Sequence, residues 1–395
     1  MPEAGGPSVI EVDHHRAPKR GQQVSGDVFL SRKIQGESRV ISVLSDGLGS
    51  GIKASVLATL TASMALKYTA HAIDIRESAE IIMDTLPVCR TRKISYSTFT
   101  IVDMDRSGRA SIIEHGNPPF SFWSGGREVT VPKEPIHLPR WKDRVIQFSR
   151  LQMKRGDRIV FASDGVSQAG TGRPESPMGW GEAGMNARIA GWLKRDPGLS
   201  AHALSHDLVD AALAQDGGEV LDDLTCGVHY FREPRQLLVV TGPPFARSRD
   251  AELARRVETF PGRKAICGGT TSTIVATHLK REVEPRFQFA APGVPPGASM
   301  DGVDLVTEGN LTLARVASLL EEKTPPAEKP ADPAQALHAL LLDSDVVSFV
   351  VGTRVNEAHQ DPSTPVELDL RRNIVRRIAR LLEKDHCKET QLAYL

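Results

Sequence analysis

The sequence predicts two domains: an α+β domain over residues 1–233, built largely of strands and hairpins with a few helices, and a smaller α/β domain over residues 234–395. Three observations predict this. At 395 residues the chain exceeds one ordinary hydrophobic core. Its first part is rich in short Val-, Ile-, Thr- and Phe-containing runs bounded by Gly, Asp or Pro, which is the texture of strands and tight turns. Past Glu233-Pro234, strand, helix and glycine-rich turn alternate, as in a sheet with some parallel pairing.

Taken in order, "ESRVISVLSD", "YSTFTIVDMD", "RASIIEHG", "DRVIQFSRLQM", "DRIVFASDG" and "DLTCGVHYF" read as strands, with "DMDRSGRA" as a hairpin turn. After Gly51 the period lengthens. Ile52, Val56, Leu60, Met64 and Tyr68 recur every four residues and predict an amphipathic helix from about Ser50 to Ala72. A second helix is expected at "AHALSHDLVDAALAQ", and between the two "AGTGRPESPMGWGEAG" reads as a mobile loop. In the second domain "RQLLVVTGPPF" is a buried-looking strand, "SRDAELARRVETF" a helix and "KAICGGTTSTIVATHL" a strand, glycine turn and helix. The proline- and charge-rich stretch near 322–334 reads as a linker. The tail "DLRRNIVRRIARLLEKDH" places Ile374, Ile378, Leu381 and Leu382 on one face, as in a helix docked on the surface.

Composition excludes several function classes. Lys+Arg 49 balances Asp+Glu 49, so no bulk charge points to nucleic acid or an anionic membrane. Cys89, Cys226, Cys267 and Cys387 are scattered without a CxxC pair, which suits a reducing compartment and argues against a structural zinc site. The first residues lack an apolar core of signal-peptide length, and the run "LHALLLDSDVVSFVVG" is broken by Asp343 and Asp345. A cytoplasmic protein is expected.

The chemistry-bearing residues are aspartates at strand edges. They are Asp27 in "SGDVF", Asp46 in "SDGLGSG", Asp164 in "ASDGV", and Asp222 with Asp223 in "LDDLT". A lone Asp-Gly is an ordinary turn. Two of the sites, however, share the form apolar strand, then Ser-Asp-Gly, and every site adjoins an expected central strand. Gathering several carboxylates in a sheet would cost several kcal/mol through repulsion and desolvation. A divalent cation removes that cost, and hard oxygen donors suit Mg²⁺ or Mn²⁺ rather than zinc.

In order and context these motifs resemble the metal-dependent protein phosphatases of the protein phosphatase 2C (PPM) superfamily, and within it the bacterial SpoIIE-like branch. The resemblance runs over roughly residues 8–231 and rests on "SGDVF", "VLSDGLGSGIKAS", "IVFASDGV" and "DDLTCGV", with "EHGNPPFSFW" standing where the branch carries Ala-Gly-His-Pro-Pro. It implies an αββα sandwich of two antiparallel sheets flanked by helices, with two Mn²⁺ or Mg²⁺ ions in a cleft at one end. Carried over by position, Asp46 would bridge the metals and Asp27 with the Gly47 carbonyl would complete one site. Asp164 and Asp222 would hold the other. Asp223 would stand behind them, although the Asp-Asp pair leaves that choice open. Paired ions of this kind activate a bridging hydroxide for in-line attack on a phosphoryl group. The implied activity is hydrolysis of phosphoserine or phosphothreonine on a regulatory protein, such as an anti-sigma-factor antagonist, with a regulatory or partner-binding second domain and room for a homodimer.

The chain also departs from the pattern. Leu48 stands where some relatives carry a histidine after Asp-Gly, so the general acid is unassigned. "HGNPP" inverts the usual glycine-histidine order, which leaves His115 without a catalytic role. His14 and His15 could ligate a metal as a pair but read more simply as strand-edge histidines. Lys53 and Arg16 are candidate phosphate contacts and otherwise solvated cations. "CGGTTSTIV" could cradle a phosphate but lacks the Lys-Ser/Thr of a P-loop, and reads first as a glycine turn. Two rival functions stay open: a non-catalytic signalling scaffold, and a nucleotide or metabolite sensor acting through the C-terminal domain.

Overall fold

The computed structural model describes residues 8–34, 38–49, 51–71, 81–83, 97–137, 145–174, 176–287, 289, 291–327, 329–354, 364–386 and 388–395. The chain forms two compact units, Met1–Glu233 and Pro234–Leu395. Ser50, Ala72, Cys89 and Cys387 lie outside the described residues, whereas Cys226 and Cys267 are buried free thiols.

The first unit is a four-layer sandwich. Its strands in chain order are β1 (Val9–Ala17), β2 (Asp27–Ile34), β3 (Arg39–Asp46), β4 (Phe99–Asp105), β5 (Arg109–His115), β6 (Ser121–Ser124), β7 (Arg127–Glu128), β8 (Glu134–His137), β9 (Val145–Gln152), β10 (Arg158–Ala162) and β11 (Leu224–Arg232). They make two antiparallel sheets, ordered β1-β11-β10-β6-β7 and β2-β3-β4-β5-β9-β8. The facing sides meet in one core that includes Phe29, Leu44, Ile112, Phe122, Ile159 and Phe161. The outer side of the six-stranded sheet packs under α1 (Gly51–Ala70). The outer side of the five-stranded sheet packs under α3 (Gly181–Arg195) and α4 (Ala201–Gln215), with the short α2 (Asp164–Gln168) preceding them. Strands alternating between two apolar faces can only be satisfied this way, with helices covering what the sheets do not bury in each other.

Helix α1 does not pack as its aliphatic stripe predicts. Ile52, Val56 and Leu60 are 73%, 60% and 45% exposed, and with Val24 they line a shallow apolar groove of about 370 Å³. The buried face is Gly51, Ala54, Ala58, Thr61, Ala62, Ala65 and Thr69. Only Met64 and Tyr68 of the expected stripe pack on the core. Close approach decides the matter. A Cβ on Gly47 would lie 2.1 Å from the Ala54 carbonyl oxygen, so the first turn of α1 sits hard against the end of β3, and only small residues fit between. The stretch expected to be a mobile loop forms a series of turns, with bridges Arg173–Ser176 and Pro177–Gly179, and its last residues begin α3.

A buried polar link joins the middles of the sheets. His229 on β11 is fully buried, and its Nε2 lies 2.8 Å from the Ser42 hydroxyl on β3. Burial pushes the imidazole pKa down to about 3. The unfolded chain, with an ordinary histidine, therefore binds more protons than the fold between about pH 3 and 6.5, and stability is lost as pH falls through that window. We expect His229 to cost on the order of 2 kcal/mol of stability between pH 7 and pH 5. Urea midpoints of the wild type and His229→Gln at both pH values check this, because the variant should lose that part of the pH dependence; parallel profiles would refute it.

The second unit is an α/β sheet of β12 (Gln236–Thr241), β13 (Arg263–Cys267), β14 (Glu284–Arg286), β15 (Gly297–Met300), β16 (Val303–Thr307), β17 (Val346–Val351) and β18 (Glu389–Tyr394), ordered β14-β15-β16-β13-β12-β17-β18. The run β16-β13-β12-β17-β18 is parallel, and β14 and β15 join it antiparallel at one edge. Helices α5 (Asp250–Thr259) and α6 (Gly269–Leu279) cover one face. The other is covered by α7 (Asn310–Glu321), α8 (Pro333–Leu342) and α9 (Thr364–His386), with Ile374, Ile378 and Leu382 of α9 buried as expected. The proline-rich stretch near 322–334 ends inside α8: Asp332 caps the helix by accepting from Ala334 and Gln335 N–H, and Pro333 opens its first turn. "CGGTTSTIV" is the β13–α6 turn.

Candidate metal centre

The ends of β2 and β3 position the first two aspartates. Asp27 opens β2 and Asp46 closes β3, and the two are direct partners across the antiparallel ladder. Like charges opposite each other on neighbouring strands repel, so nothing in the sheet itself favours this pairing. The end of β3 is anchored through its backbone: the Asp46 carbonyl accepts from the Ser97 hydroxyl (2.8 Å) and from Thr98 N–H (2.9 Å), while Gly47 bridges to Ser97.

The other sheet supplies the rest. Asp164 follows β10 through Ser163, and Asp222 and Asp223 precede β11, the antiparallel partner of β10. Ser163 ties the two strand ends together, its N–H donating to Thr225 O and its hydroxyl accepting from Thr225 N–H. A Cβ on Gly165 would lie 2.3 Å from the Asp223 carbonyl oxygen, so the Ser-Asp-Gly turn lies directly on the Asp222-Asp223 backbone. Asp223 then couples the halves: its two carboxylate oxygens accept from Lys19 N–H (2.9 Å) and Gly26 N–H (2.8 Å).

The electrostatics are those of an uncompensated acid cluster. Asp27 is 1% exposed, and neither of its carboxylate oxygens has a hydrogen-bond partner among the described residues. Burial raises its pKa to about 7, with the charges of Asp223 and Asp164 adding to the rise and the nearby Ser163 and Thr225 hydroxyls tempering it. Asp46 is pushed up to about 9, by burial first and then by Asp27, Asp164, Asp222 and Asp223. Asp164 is raised by burial and by Asp222, and tempered by Gly165 N–H, the Asp46 carboxyl and Gln168, whose side-chain amide donates to Asp164 at 3.2 Å. Asp222 is half-exposed and pairs with Lys19 Nζ at 3.7 Å. All five sequence-predicted aspartates thus act on one another at one end of the sandwich.

Among the described residues, no three His, Cys, Asp or Glu side chains already converge as ligands on one point. The residues nonetheless fit a hard divalent cation: the donors are oxygens, and the buried Asp27 carboxylate oxygens have no hydrogen-bond partner among the described residues. Asp223, with both oxygens already accepting backbone N–H groups, fits a place behind the donor set better than within it. Lys19 and Gln168 join the site without any local motif that marks them in the sequence, and Ser163 enters as the serine of its Ser-Asp-Gly turn. Lys53 and Arg16 are exposed, and His115 packs its ring against Phe99 at 5.4 Å. His14 and His15 are not a chelating pair, because successive residues of β1 face opposite ways. His14 stacks on Phe29, and His15 stacks on His206 of α4.

A sandwich of two antiparallel sheets with an acid cluster at one end defines the class of metal-dependent phosphatase domains. Residues 36–231 match the family model of stage II sporulation protein E (SpoIIE), and the N-terminal unit of the chain belongs to that family, the SpoIIE-like branch of the PPM phosphatases. Among solved structures, the chain is similar to the PP2C phosphatase domain with a fragment of the regulatory domain of the cell fate determinant SpoIIE from Bacillus subtilis. That match has 22% identity and a TM-score of 0.46, over 57% of this chain and 64% of that one, so less than two thirds of the other chain is covered. The chain is also similar to the RsbU and RsbW domains of a Mycobacterium tuberculosis protein (18% identity, TM-score 0.45, 64% of this chain and 68% of that one). A third similar structure is RsbX in complex with magnesium (17% identity, TM-score 0.40, 56% of this chain and 95% of that one). No curated protein matches the chain. Among the described residues no helix is long and apolar enough to cross a membrane.

Proposed function

We propose that the chain hydrolyses phosphoserine or phosphothreonine on a regulatory protein, using two Mn²⁺ or Mg²⁺ ions held by Asp27, Asp46, the Gly47 carbonyl, Asp164 and Asp222. The observation that carries this reading is the buried, unpartnered Asp27 carboxylate facing Asp46 across the β2–β3 ladder. Divalent ions in such a place supply Lewis acidity, which brings the pKa of water toward neutrality and polarises phosphoryl oxygens. The protein's own groups do the positioning. Asp223 fixes the Lys19 and Gly26 backbone, Ser163 fixes the β10 and β11 ends, and Ser97 fixes the end of β3. Lys19 Nζ, beside the half-exposed Asp222, offers a cation to an incoming phosphate. No cysteine or serine nucleophile is required. The second unit takes a regulatory or partner-binding role, and the substrate class is a phosphorylated regulator such as an anti-sigma-factor antagonist. A scaffold without activity would have no reason to keep five mutually repelling aspartates.

Hydrolysis of a phosphothreonine peptide tests the reading. Turnover is expected with Mn²⁺, none above background with chelator, and a loss of at least about 100-fold in Asp164→Asn. Chelator-insensitive turnover would refute it.

A further inference from the structure

Outside the acid cluster, the face of β1 that meets α4 is polar. Ile10 and Val12 pack toward the core between the sheets, while Glu11, Asp13 and His15 face α4. Glu11 caps the helix by accepting from Ala201 N–H at 2.8 Å. At the next residue, His202 Nδ1 lies 2.9 Å from Asp13 Oδ2. His206, four residues on, stacks on His15 with ring centroids 3.6 Å apart, and on the other side lies 4.2 Å from His202. Asp210, four residues further, acts on the charge of His15.

We propose that His15, His202 and His206 form a site for a borderline transition-metal dication of the zinc(II) class, separate from the acid cluster. Imidazole nitrogens select Zn²⁺, Ni²⁺ or Cu²⁺ over Mg²⁺ and Mn²⁺, which favour oxygen donors. The pair His202 and His206 has the i, i+4 spacing that puts two rings on one helical face. A carboxylate can only accept, so Asp13 holds the proton of His202 on Nδ1 and leaves Nε2 free with its lone pair outward, the arrangement that orients metal-bound histidines. Burial and the neighbouring imidazoles lower the pKa of His15, which keeps that ring neutral and able to bind. The rings stack rather than converge as they stand, so ion entry requires His15 or His206 to turn about its side-chain torsions. His202 is exposed and His206 half-buried, so solvent reaches the cluster.

The experiment titrates Zn²⁺ into the full chain held in excess Mg²⁺, comparing wild type, His206→Gln, and Asp46→Asn. Binding is followed by calorimetry and by the histidine ring proton resonances. Wild type and Asp46→Asn should each take up about one equivalent of Zn²⁺ that His206→Gln binds at least about 100-fold more weakly. Ring protons of three histidines should move together in the wild type. Equal affinity in wild type and His206→Gln overturns the proposal. So does loss of the Zn²⁺ equivalent in Asp46→Asn alone, which would place the ion in the acid cluster. Wild-type histidine resonances that stay fixed on Zn²⁺ addition overturn it without any variant.

Discussion

Asp46→Asn should make the metal-free protein more stable while abolishing the proposed phosphatase activity. In the wild type, Asp46 and Asp27 carry pKa values raised to about 9 and 7 by burial and by the neighbouring carboxylates, Asp27 acting on Asp46 and Asp223 with Asp164 on Asp27. A carboxyl raised in the fold binds protons that the unfolded chain has already released, so stability falls as pH rises from about 4 through these values. Removing one charge from the cluster relieves both the desolvation and the repulsion, and the new amide can donate to the neighbouring carboxylates. The gain at pH 8 should be on the order of 2 kcal/mol, which is roughly 4–8 °C in melting temperature for a unit of this size. Wild type should lose stability between pH 6 and pH 8.5 in chelator and regain it with Mn²⁺, and the variant should lose less, keeping only the share that Asp27 contributes up to about pH 7. Thermal melts in chelator and in Mn²⁺ at both pH values decide the point. A metal-free variant no more stable than wild type would mean the carboxylates do not repel as the structure requires.

Gly47→Ala should be the most damaging single-methyl change in the first unit. The added Cβ would sit 2.1 Å from the Ala54 carbonyl oxygen, a backbone atom that cannot rotate away. Either α1 lifts from the sheet or the end of β3 moves, and the second route displaces Asp46. We expect a loss of about 3 kcal/mol with a fall in Mn²⁺ affinity. Gly191→Ala is the matched control. It lies in the middle of α3, where a Cβ meets nothing within 4 Å, and it should stabilise by about 1 kcal/mol. Similar melting temperatures for the two variants would show that the α1–β3 contact is looser than the structure has it.

Much of the first unit is legible in the sequence because its strands are locally determined. β3, β4, β5, β9, β10 and β11 each carry a β-branched run with a turn residue at one end, and α4 occupies the expected segment. The five aspartates are legible because each sits at such an end. What stays hidden depends on contacts between distant segments. The outward turn of Ile52, Val56 and Leu60 follows from the Gly47–Ala54 approach, which no helical period encodes. Helix α3 buries Met185, Ile189 and Leu193 at a spacing of four, a signal obscured by Gly181, Gly184 and Gly191. Ser163 and Lys19 enter the site only because β10, β11 and the segment after β1 meet there. His15 and His206 read as unrelated histidines until β1 is laid on α4.

The pairing of β1 with β11, Val9 opposite Arg232 through Ala17 opposite Leu224, has a consequence for synthesis. The first strand must wait for the last before it has its partner, and Gly26 waits likewise for Asp223, 197 residues away. A chain still emerging from the ribosome holds Asp27 and Asp46 without Asp164, Asp222 or Asp223. The acid cluster is incomplete at that stage, and a truncation before β11 would lose the strand that brings Asp222 and Asp223 beside Asp164. Such long loop closures also slow assembly, so the newly made chain passes a period with its sheet edges uncovered before the first unit closes.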